Sequence, residues 1–102
     1  MTTTTTTALV VKLTARPETQ DEVADFLAGA LELAIAEAGT PVWFALRTDP
    51  TTFWIVDAFP SDVERQAHLN GPIAAALMAN ADRLLAAAPE INPAEVLAAK
   101  IP

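Results

Sequence analysis

The chain has no cysteine and no tyrosine, and in 102 residues it has one histidine, one serine and three glycines. Without cysteine there can be no disulfide, thiolate nucleophile or cysteine-bound zinc. A single histidine rules out a three-histidine metal site within one chain, and the carboxylates lie mostly on helix faces or ends without ligand spacing. Gly29, Gly39 and Gly71 are isolated, so no glycine-rich phosphate loop exists. Nucleotide, flavin and metal chemistry therefore have no visible support, and no cofactor is expected. Ser61 stands where a helix needs a cap, which accounts for it without nucleophilic duty. Basic residues are scarce too: six Lys and Arg against thirteen Asp and Glu give a net charge of −7. No basic patch is available to displace counterions, so a nucleic-acid partner is not expected, nor is an anionic membrane surface.

Long hydrophobic runs are also missing, since no stretch approaches the roughly 18 apolar residues that span a bilayer. The threonine tract Thr2 to Thr7 lacks the charged and apolar regions of a secretory leader. The reading is a cytoplasmic protein with a threonine-rich tail over 1–7 and one domain over 8–102. What the chain has in quantity is apolar side chains, at 52% of residues and a mean hydropathy of +0.31. A domain this small has a large surface for its volume, so part of that apolar surface is expected to face another subunit.

Alternation of Leu9, Val11 and Leu13 with Val10, Lys12 and Thr14 predicts a first strand. Thr19-Gln20-Asp21-Glu22 has the form of a capping box. Val23, Phe26, Leu27, Ala30, Leu31, Ala34, Ile35 and Ala38 then repeat at helical spacing, with Gly39 and Pro41 as the stop. Two strands, Val42 to Thr48 and Thr52 to Phe59, flank a turn at Asp49-Pro50-Thr51. Ser61-Asp62-Val63-Glu64 opens a short helix to about Leu69. Asn70-Gly71-Pro72 breaks it, and a further helix runs to before Pro89. A last strand is expected over Glu95 to Ile101. The order βαββαβ predicts an α+β, ferredoxin-like fold with a four-stranded antiparallel sheet. Two helices cover one face of such a sheet, yet the central strands are apolar on both: Phe53, Ile55 and Phe59 alternate with Trp54, Val56 and Ala58. A second copy of the sheet is the simplest cover, so a homodimer is expected.

His68 is the candidate for acid–base chemistry, because an ordinary imidazole titrates near neutrality. Its position over Glu64, one helical turn back, is equally what a surface pair would show. Asp57 shares a strand face with Phe53, Ile55 and Phe59, where an unpaired charge is costly. One reading pairs it with a basic strand residue, Lys12 first and Arg47 or Lys100 behind. The other makes it a pocket carboxylate that orients a substrate hydroxyl or raises the His68 pKa. Trp43, Phe44, Trp54 and Phe59 read as core. Trp43, Phe44 and Phe59 could also wall an apolar pocket. Asn80, near the apolar stripe of the last helix, could hydrogen-bond a pocket ligand or a loop carbonyl.

A strand that ends in Asp57-Ala58-Phe59 and hands over to a helix carrying His68 resembles the antibiotic-biosynthesis monooxygenase (ABM) family of small dimeric α+β barrels. The resemblance runs from Leu9 to Ile101. It implies a catalytic histidine, His68, at the edge of a cavity between helices and sheet; Asp57 is expected to act with it as the second catalytic group. If the chain is catalytic, Trp43, Phe44 and Phe59 are expected to wall the site and Asn80 to orient a polar atom of a small apolar aromatic ligand. Some members of that family oxygenate a phenol or quinol with dioxygen and no cofactor, which suits this inventory. Others degrade haem with an Asn on the first strand, a Trp at the end of the third and a helix His. The first strand here has no Asn, and Phe59 replaces that Trp, so haem breakdown is not expected. The contrasting expectation is a non-catalytic or stress-response dimeric barrel that binds a small apolar ligand, or fills its cavity with its own side chains.

Overall fold

The computed structural model describes residues 5–101. A four-stranded antiparallel sheet has the order β2-β3-β1-β4, built from β1 (Thr7–Thr14), β2 (Val42–Asp49), β3 (Thr52–Phe59) and β4 (Glu90–Glu95). The helices are α1 (Gln20–Gly29), which follows a 3-10 turn at Pro17–Thr19, then α2 (Leu31–Ala36), α3 (Asp62–Leu69) and α4 (Pro72–Leu84). This is the expected ferredoxin-like α+β arrangement.

Register decides which side chains share a face, because directly opposed residues of antiparallel strands point the same way. Leu9 opposes Asp57, and Asp57 opposes Trp43; Val11 opposes Ile55, and Leu13 opposes Phe53. That face carries the core, with Leu9, Leu13, Ile55, Phe53 and Phe59 packed on Val23, Leu27, Leu77 and Leu84 of the helices. Full burial of such a side chain contributes about 1.5–3 kcal/mol. The opposite face carries Val10, Lys12, Trp54, Val56, Phe44 and Leu46. Phe44 is 55% exposed and Leu46 47% exposed there.

The helical stripe expected to run unbroken to Ala38 is divided at Ala30 and ends at Ala36. Gly29 weakens the helix at that point. The turn beyond it sets Ala30 and Ala34 against Ile73, with Trp43 packed alongside. Thr19 does not cap α1; its hydroxyl donates to the Leu84 carbonyl at 2.6 Å and ties the start of α1 to the end of α4. At the β2–β3 turn Asp49 Oδ1 accepts from the Thr51 and Thr52 backbone N–H groups at 3.1 and 2.9 Å.

Two boundaries differ from the sequence expectation. The last strand is β4 at Glu90–Glu95 rather than Glu95 to Ile101. Pairing with β1 begins as soon as the chain returns from α4, and Pro93 is tolerated because β4 is an edge strand. Of the tail expected over 1–7, residues 1–4 lie outside the described residues. Thr5 is buried, and Thr6 donates its N–H to Phe59 and accepts from the Val96 N–H, so this part joins the sheet.

Candidate functional site

Three elements bring three ionisable side chains together. Strand β3 presents Asp57 to the helix-facing side of the sheet, where it is 1% exposed. Helix α3 is set over that point by Arg65, whose guanidinium donates to the Ala8 and Ala94 carbonyls at 3.3 and 3.4 Å and also holds Asp62. Three residues further along α3, His68 is 7% exposed and faces inward. The chain leaves α2 at Glu37 in an extended conformation, which sends that carboxylate to the same place.

His68 Nδ1 lies 2.6 Å from Glu37 Oε1, and Nε2 lies 2.9 Å from Asp57 Oδ2. The Asp57 contact is close but poorly aligned, and neither Asp57 oxygen has a well-directed donor among the described residues. Its strength is that of charge proximity. Glu37 Oε1 also accepts from Thr40 Oγ1 at 2.9 Å. Glu37 Oε2 is buried with no hydrogen-bond partner among the described residues. The Phe59 ring, 0% exposed, tilts against the imidazole at 5.3 Å between centroids.

With both carboxylates ionised, only the imidazolium offers a donor to each side. Burial by itself, the largest single influence, would push His68 down. The close contact with Asp57, the hydrogen bond to Glu37 and the two negative charges together outweigh it, and the ring is held above its ordinary value.

A cleft of about 240 Å³ opens beside this cluster, lined by Glu37, Thr40, Glu64, Ala67, His68 and Gly71 among others. It lies between the α2–β2 connection and the α3–α4 corner, not between helices and sheet as expected. The Ser61 hydroxyl does not cap the α3 backbone as expected; it donates to the Glu64 carboxylate instead. A separate apolar slot of about 160 Å³ lies between α1 and β2, beside Leu27, Ala45 and Phe53.

The sequence-derived candidates fall on different sides of this geometry. His68, Asp57 and Phe59 are together, and Trp43 stands beside Asp57 on the same sheet face with its indole Nε1 buried and unpaired among the described residues. Phe44 does not belong to any wall around His68, because strand alternation turns it to the opposite face. Asn80 is satisfied locally: its amide donates to the Ala76 carbonyl at 2.8 Å and accepts from Arg83 at 3.3 Å. The pairing of Asp57 with Lys12 is not formed. Lys12 opposes Trp54 and lies over its ring on the outer face, with Nζ 5.9 Å from the centroid. Arg47 is likewise spent on Gln20 and on the Pro50 carbonyl.

Glu37 was not among the candidates read from sequence. It falls seven residues after Ala30 and three after Ala34, on the apolar stripe itself, and that position was the available signal. The site does not suit haem iron: both imidazole nitrogens face carboxylates, so a metal would have to displace one of them.

No family model matches the sequence, and neither does any curated protein. Solved structures do match. A protein of unknown function from Nitrosomonas europaea is 55% identical, with a TM-score of 0.96 over 99% of this chain and 98% of that one. A protein from Caulobacter crescentus, provisionally named an antibiotic biosynthesis monooxygenase, is 17% identical with a TM-score of 0.79, covering 94% of this chain and 93% of its own. One from Chloroflexus aurantiacus with the same provisional name is 23% identical, with a TM-score of 0.72 over 93% and 96%. The chain therefore belongs to one family with the Nitrosomonas europaea protein of unknown function, and its fold is that of the antibiotic biosynthesis monooxygenases.

Proposed function

We propose that this protein is a cofactor-independent monooxygenase of an aromatic quinol or anthrone-like small molecule, acting as a homodimer at the cleft beside His68. The observation that carries this reading is the charged cluster Asp57–His68–Glu37, buried at the wall of a cleft in a monooxygenase-type fold. Structural ion networks also perturb pKa values, but this one opens onto a cleft. The cluster's part is to take a proton from the ligand and to balance the charge left behind. An anthrone-type methylene that loses a proton becomes an electron-rich anion able to reduce dioxygen. The carbon then forms a C–O bond to one oxygen atom, and the other leaves as water with the two hydrogens of the methylene. Phe59 packed on His68 keeps bulk water from the ring, which strengthens the field of the cluster. The dimer reading rests on the outer sheet face, where Phe44 and Leu46 are exposed beside Trp54 and Val56.

The test is oxygen uptake by the purified protein with anthrones and quinols, with nothing else added. Catalytic uptake with one ketone formed per dioxygen consumed is expected. A second reading, a non-catalytic binder of small apolar ligands, has its own support. The space between helices and sheet is filled by the protein's own side chains, apart from the slot at α1 and β2. No uptake across the panel would transfer the case to that reading.

A further inference from the structure

His68 is poorly placed to meet a ligand directly. It is 7% exposed, and each ring nitrogen is already within 3 Å of a carboxylate oxygen, at 2.6 and 2.9 Å. Asp57, at 1% exposed, lies deeper still. Glu37 is different. Its Oε1 is fixed by two donors, His68 Nδ1 and Thr40 Oγ1, so the orientation of the whole carboxylate is set. Its Oε2 is then left buried and without a hydrogen-bond partner among the described residues, on a side chain that is 17% exposed and lines the cleft. That oxygen lies beside Gly71, where an added Cβ would stand 3.6 Å away in ordinary contact.

We infer that Glu37 Oε2 is the atom that takes the proton from the bound ligand, making Glu37 a catalytic residue and His68 the positioning residue behind it. This rests on the reaction proposed above. In the step, the ligand C–H bond breaks and its electron pair stays on the ligand as the conjugate base. The proton forms a new O–H bond on Glu37 Oε2. His68 passes no proton. Its imidazolium had two carboxylate partners and now has one, Asp57, so its positive charge is freed to stabilise the new anion across the cleft. The donor from Thr40 keeps the protonated carboxyl in place.

Proton abstraction can be separated from oxygen chemistry. With oxygen excluded, anthrone in deuterated water exchanges its methylene protons, and NMR follows the catalysed rate. Glu37→Gln keeps the shape of the side chain and is expected to lower that rate by about 10²–10⁴-fold, with little change in KM. If Glu37→Gln fails to fold by thermal melting, Glu37→Asp retains the charge but withdraws the carboxylate, and a loss of more than about tenfold is expected. Unaltered exchange in a folded Gln or Asp variant, or no catalysed exchange by the wild type, overturns the assignment. Exchange that depends on Glu37 but brings no oxygen uptake in air keeps the assignment and rejects the oxygenase.

Discussion

At the scale of single residues, Asp57 shows how far a strand pattern reaches. Its place on the core face follows from alternation with Phe53, Ile55 and Phe59, and its need for a partner follows from burial. Lys12 is not that partner, because it lies on the other face of β1. Leu9, Val11 and Leu13 face the core, so Lys12 must face away, and no register could bring it to Asp57. His68 was legible as the lone imidazole, yet its helix position alone also suited a surface pair with Glu64. Glu37 went unseen because a carboxylate near a helix end ordinarily reads as solvated. Asp57→Asn or His68→Ala each breaks a buried charge pair, and each is expected to cost about 3–5 kcal/mol in urea denaturation. Lys12→Ala, which removes an outer-face contact over Trp54, is expected to cost less than about 1 kcal/mol. Equal losses for Lys12 and Asp57 variants would contradict the pairing seen here.

At the scale of elements, local signals placed α3, α4 and the β2–β3 turn well, because each carries its own punctuation: Ser61 and Glu64, Pro72, and Asp49-Pro50. They failed where tertiary pairing decides. Strand β4 contains Pro93 and ends at Glu95, where the sequence alone places the start of a last strand running to Ile101. Backbone pairing with β1 overrides that reading. The break at Ala30 was likewise invisible to periodicity, which is continuous across it. Gly29 gives a check on that junction. A Cβ added there meets nothing within 4 Å, and the residue is helical with no positive φ. Gly29→Ala is therefore expected to raise stability by about 0.5–1 kcal/mol, read from the shift in the urea midpoint. A loss of stability would show that the bend between α1 and α2 needs glycine.

At the scale of the whole molecule, composition announced surplus apolar surface, and the sheet shows where it lies. Exposed Phe44 and Leu46, with Trp54 and Val56 beside them, give one face of the sheet a character that a monomer rarely leaves in water. Light scattering at micromolar concentration is expected to give the mass of a dimer, with an interface of about 1,600 Å² or more. Val56→Glu is expected to abolish that dimer and to lower stability with it. A wild-type monomer at every concentration would contradict the homodimer.

The functional reading stands on a protonated ring between two carboxylates, and the chain's single histidine makes that state directly observable. The most direct measurement is the pH dependence of the two ring ¹⁵N resonances of His68. Expected are two imidazolium-type signals that titrate with a midpoint above the ordinary value near 6.5. Because the folded value is raised, the stability linked to this ring should be fully present below about pH 6.5. It should be lost as pH rises through the folded midpoint. A ring that titrates at or below 6.5 would contradict the charged cluster and the chemistry built on it.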